Sequence, residues 1–69
     1  MSLMILDPVK SKAVSGIGYD PDTKELQVKF MHGGLYSYQG ITAGHHREIV
    51  TAKSIGRAVQ GLGKGKKVL

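Results

Sequence analysis

A chain of 69 residues without cysteine leaves room for one small domain, and excludes disulfide staples, thiolate metal sites and a thiol nucleophile. Ten lysines and arginines against five acids give a net charge of +5. No apolar run approaches the roughly 20 residues that cross a bilayer, so a membrane role is not expected.

The opening Met1-Ser2-Leu3-Met4-Ile5-Leu6 is too short and too poor in basic residues for a secretion signal. The second methionine at Met4 marks residues 1–3 as a cloning remnant. Residues 1–10 read as a lead-in, residues 11–62 as the folded domain and residues 63–69 as a basic flexible tail. A first strand is expected over residues 13–19. Ile17 and Tyr19 share a face there, and a bulge at Ser15-Gly16 returns Val14 to it. Asp20-Pro21-Asp22 is a turn, with the proline setting φ and Asp20 offering a side-chain acceptor.

Glu25 to Phe30 carries the strongest strand signal. Leu26, Val28 and Phe30 alternate with Glu25, Gln27 and Lys29, which predicts the first three buried and the other three exposed. His32-Gly33-Gly34 suits a tight hairpin turn that needs positive φ. A third strand follows over residues 35–39, with Tyr36 and Tyr38 on one face and Leu35 on the other, and Gly40 breaks it.

Thr42 is placed to cap a first helix that carries Ile49 and Val50 inward and ends near Lys53. Ser54 caps a second, whose Ile55, Ala58, Val59 and Leu62 form one apolar stripe at i, i+3, i+4 and i+7. Gly61 and Gly63 stop it. The fold class is therefore α+β: a three-stranded antiparallel meander followed by two short helices packed on one face, in the order β-β-β-α-α. So thin a core leaves weak self-association open.

The charge is unevenly placed. Up to Gly40, Lys10, Lys12, Lys24 and Lys29 balance Asp7, Asp20, Asp22 and Glu25. Beyond it stand Arg47, Lys53, Arg57, Lys64, Lys66 and Lys67 against Glu48 alone. This asymmetry points to an anionic partner, nucleic acid first, while the plain alternative is a solvated face with a solubilising tail. Tyr36 and Tyr38 either stack on unpaired bases or fill the core, and Tyr19 faces the same choice. His45 and His46 are neighbours on a helix and diverge by about 100°, so they cannot share one ion, and His32 lies on a distant turn. No metal site or cofactor is expected.

Gly61-Leu62-Gly63-Lys64-Gly65 follows a helix, whereas a phosphate loop follows a strand and opens a helix, so it reads as a helix stop and tail. Ser54 has no base or orienting group at a recognisable spacing, and no carboxylate pair divides acid and base roles, so an enzyme is not expected.

Gly18-Tyr19-Asp20-Pro21, Leu26-Gln27-Val28-Lys29-Phe30, Gly33-Gly34, Tyr36-Ser37-Tyr38 and Ser54-Ile55-Gly56-Arg57 occur together in an order that resembles the KTSC domain. That domain is named for the C-terminus of some lysyl-tRNA synthetases and also occurs as a free-standing protein in bacteria and phages. The resemblance covers about residues 11–62. Here Ala58, Val59 and Gln60 stand where the family tends to place aromatic residues followed by asparagine. The synthetase association implies RNA binding.

The expectation is then a non-enzymatic cytoplasmic module that binds nucleic acid, RNA before DNA. Arg47, Lys53, Arg57, Lys64, Lys66 and Lys67 would contact phosphates, and Tyr36 and Tyr38 would stack. The alternatives are a phage-type interaction or inhibitory protein that takes an acidic protein partner, and a small anionic nucleotide pocket formed by Ser54, Gly56 and Arg57.

Overall fold

A computed structural model describes residues 5–68, and the expected remnant at residues 1–3 lies outside them. Its elements are Asp7–Pro8 (β1), Val14–Asp20 (β2), Glu25–Phe30 (β3), Leu35–Tyr38 (β4), Ala43–Val50 (α1), Ile55–Gln60 (α2) and Lys66–Lys67 (β5). The alternating segment forms β3 at the centre of the sheet. Antiparallel pairing puts Ile17 and Tyr36 beside Val28, and Tyr19 and Tyr38 beside Leu26. The ladder shifts register between Val14 and Gly16, which brings Val14 opposite Phe30 and fully into the core, as the expected bulge requires.

Five strands rather than three make this sheet, in the order β1-β2-β3-β4-β5. The α+β class stands, but the strand number is corrected. Both added strands are two residues long and carry no periodic signal of their own. Neighbouring backbone defines them instead. β1 lies along β2. β5 returns after both helices to cover the open edge of β4, and the Val68 N–H donates to the Leu35 carbonyl at 2.8 Å. The expected flexible tail therefore contributes a strand. Gly65 makes this possible, because a Cβ there would sit 2.6 Å from Cζ of Tyr38. The bare backbone lies directly on that ring.

Both helix starts form as their capping residues dictate. The Thr42 hydroxyl accepts from the His45 N–H at 3.1 Å, and Ser54 accepts from Arg57 at 3.3 Å. The helices cover the Leu26 and Val28 face with Ile49, Ile55 and Val59, while Val50, Ala58 and Leu62 pack around the margin. Three details of the strand reading change, the first being that Glu25 is half-buried where the alternation predicts it exposed. Phe30 is only half buried, because β3 ends there and the ring faces a turn. Gln27 is fully buried, although the alternation predicts it exposed. It lies between Gly18 and Ser37 on the neighbouring strands, and its amide donates to Glu25 Oε2 at 3.1 Å. The same oxygen accepts from the Ser37 hydroxyl at 2.6 Å. Alternation tells which face a side chain takes, not whether water reaches that face at a central strand.

Leu26→Ala should cost about 2–5 kcal/mol in urea unfolding, whereas Phe30→Ala should cost distinctly less because part of its ring is already wet. Gly65→Val should lower the melting temperature by several degrees through displacement of β5, each kcal/mol being worth about 4–8 °C at this size. A tail that only waves in solvent would leave that temperature unchanged.

Candidate nucleic-acid interface

The hairpin turn and the chain leaving α2 enclose a groove of about 430 Å³. Phe30, His32, Tyr36 and Tyr38 form its aromatic walls, and Gly63, Lys64 and Gly65 close the remaining side. The Phe30 and His32 rings stack with centroids 5.4 Å apart and planes 3° from parallel. Tyr36 meets Phe30 edge-on at 5.4 Å and 81°. These are the offset and perpendicular arrangements that ring quadrupoles favour. Tyr36 stays half exposed, while Tyr38 is 8% exposed and belongs to the core. The two tyrosines thus divide the alternatives posed by the sequence. Tyr36 presents surface to the groove and Tyr38 supports its floor beneath Gly65. Burial pushes the Tyr38 hydroxyl's pKa up, with a smaller push from Tyr36 beside it.

A second groove, of about 410 Å³, opens where the lead-in meets the start of α2. Lys10, Lys12 and Lys53 border it together with Ser11, Ser54 and Gly56. Arg57 does not line it; the side chain is exposed on α2. A third groove holds Arg47 with Tyr19, Pro21, His46 and Val50. There the His46 ring stacks on Tyr19 at 4.6 Å, and the Tyr19 hydroxyl donates to the Ile41 carbonyl. His45 is exposed. Among the described residues, no three histidines, cysteines or acids gather as a metal ion would need.

The six expected phosphate contacts are therefore spread over several surfaces. Lys53 stands at one end of α2 and Lys64 beyond the other. On β5, Lys67 pairs with Tyr36 and takes its face of the sheet, whereas Lys66 pairs with Ser37 and takes the opposite face. Arg47 lies apart in the third groove. Sequence reasoning missed Lys10 and Lys12 because nearby acids cancel them along the chain, and charge balance in sequence is not balance in space. It missed His32 and Phe30 as groove walls for a different reason. One was read as a turn residue and the other as core.

A model of the KTSC domain matches residues 10–65. The chain belongs to the KTSC domain family. A crystal structure of a KTSC domain protein from Yersinia pestis superposes with a TM-score of 0.81 at 38% identity, covering 96% of this chain and 93% of the other. A protein of Tsukamurella paurometabola is 34% identical over 59 residues, 86% of this chain and 88% of its own length. One from Stutzerimonas stutzeri is 33% identical over 49 residues, 71% and 69% of the respective chains. Among the described residues of this KTSC domain, no helix is long and apolar enough to cross a membrane.

Burial of the Tyr38 hydroxyl couples stability to alkaline pH. Its hydroxyl pKa is higher folded than unfolded, so above about pH 10 the unfolded chain binds fewer protons than the native one. The associated stability is complete below that pH and declines as pH rises through the folded value. Melting temperatures measured from pH 8 to 11.5 should fall above about pH 10, and Tyr38→Phe should lessen the fall. An equal slope in that variant would place the titrating group elsewhere.

Proposed function

We propose that this KTSC domain is a non-enzymatic, cytoplasmic binding module for single-stranded nucleic acid, RNA before DNA. The observation that carries the reading is the groove in which Phe30, His32, Tyr36 and Tyr38 meet Lys64. Aromatic faces serve any base, and a cation at the rim serves the backbone that joins the bases. In this reading Tyr36 and His32 contact bases, Tyr38 holds the floor, and Lys64 and Lys67 approach phosphates. Arg57 and Lys53 extend the cationic path along α2. Arg47 and Lys66 contribute only to the long-range field.

A binding role is also favoured by what the polar residues do. The Ser37 hydroxyl donates to the Glu25 carboxylate, the pairing a nucleophile would need, but Ser37 is 5% exposed and withheld from a substrate. A synthetase-type association would make RNA the natural ligand of such a module.

Fluorescence anisotropy with a short single-stranded RNA, from about 50 to 300 mM salt, tests the reading. Three or four phosphate contacts should give a log K against log salt slope of about −2 to −3. Tyr36→Ala should weaken binding by about 1–3 kcal/mol at every salt concentration without changing that slope, whereas Lys64→Gln should shorten it by roughly one unit at most. Absence of binding at the lowest salt would sink the nucleic-acid reading and leave an acidic protein, the partner of a phage-type inhibitor, as the next candidate.

A further inference from the structure

The groove at the start of α2 is bordered by three lysines from two separate segments. Lys10 and Lys12 come from the lead-in, and Lys53 from the connection between the helices. Two features draw these segments together. The Ser11 hydroxyl accepts from the Ala13 N–H at 3.2 Å and the Val14 N–H at 3.3 Å, which turns the lead-in as it enters β2. Gly56 then lies against Ala13, where an added Cβ would stand only 3.2 Å from the alanine Cβ. A glycine here allows the lead-in to approach the helix.

Among the described residues, no carboxylate lines this groove. Three like charges around one opening repel one another, and an anion relieves that repulsion. The end of α2 is not the source of attraction. The helix has only six residues, and its capping hydroxyl on Ser54 already accepts from Arg57.

We propose that this groove binds a phosphate group carrying two or more negative charges, as at the 5′ end of a nucleic-acid strand or on a free nucleoside polyphosphate. Ammonium groups are compact point charges with rotatable donors, and several can surround a tetrahedral anion that has acceptors on every side. A phosphodiester carries a single charge and has less to offer three lysines. Six residues at 1.5 Å each make α2 about 9 Å long. The groove lies at the start of α2, and the aromatic slot includes the chain that leaves its other end. A strand anchored by its terminal phosphate would run its first bases towards Tyr36. That arm rests on the nucleic-acid reading; the free-nucleotide arm does not.

The test uses the full chain with two RNA oligomers of one sequence, 5′-phosphorylated and 5′-hydroxyl, and with ATP and inorganic pyrophosphate. The phosphorylated oligomer should bind on the order of tenfold more tightly, three exposed ion contacts each adding a small factor. Lys10→Gln, Lys12→Gln and Lys53→Gln combined should erase that ratio and leave the melting temperature unchanged, since all three side chains are exposed. Lys53→Gln alone, expected to reduce the ratio, serves should the triple variant fail to fold. Tyr36→Ala should weaken both oligomers equally and keep the ratio. ATP and pyrophosphate should shift the backbone amide resonances of Ala13 and Gly56. If neither oligomer binds while ATP does so through the three lysines, the nucleic-acid reading fails and the groove remains a nucleotide site. Equal binding of the oligomers, with Ala13 and Gly56 unmoved by ATP and pyrophosphate, overturns the proposal.

Discussion

Leu26 and Val28 lie on the middle strand, and neither retains any contact with water. A chain of 69 residues can build only a thin core around them. The neighbouring elements are arranged to cover these two side chains. Ile17 and Tyr19 flank them from one strand and Tyr36 and Tyr38 from the other, while Ile49, Ile55 and Val59 join the cluster from the helices. Two helices of eight and six residues would be marginal alone, and burial of their apolar stripes on this sheet holds them.

Covering so small a core demands close approaches, and glycine supplies them. At Gly56 a helix meets the lead-in, and at Gly65 the chain crosses the Tyr38 ring. Each contact also forms part of the wall of a groove. The lysine groove opens beside the first contact and the aromatic groove beside the second. The candidate sites thus follow from where the chain packs against itself at the two ends of α2.

This explains which parts were legible in the sequence. β3, the bulge before Ile17 and the caps at Thr42 and Ser54 depend on local rules, in which residue type and spacing carry the information. β1 and β5 depend on an available sheet edge, and two residues cannot carry a period. Gln27 was misplaced for a similar reason. Its burial follows from lying mid-sheet beside Glu25 and Ser37, which no pattern within β3 expresses. The resemblance indicated the family correctly through Tyr36-Ser37-Tyr38, yet it did not distinguish the two rings. That difference arises because Gly65 lies on the Tyr38 ring, whereas Tyr36, whose neighbour on β5 is Lys67, stays partly open.

The distribution of charge carries the same lesson into function. A count along the chain assigns the whole excess to the region after Gly40. In space, Lys10 and Lys12 leave the balanced half and join Lys53, while Lys66 and Lys67 part to opposite faces of one strand. At physiological salt, exposed charges farther apart than about 8 Å act largely independently. Grouping within a groove therefore matters more than the net value of +5. Under the proposed function, a surface organised in this way would suit a ligand with one concentrated charge and a planar group nearby better than a long, evenly charged duplex. The duplex would need a continuous cationic stripe, which the separation of Arg47, Lys53 and Lys66 does not provide.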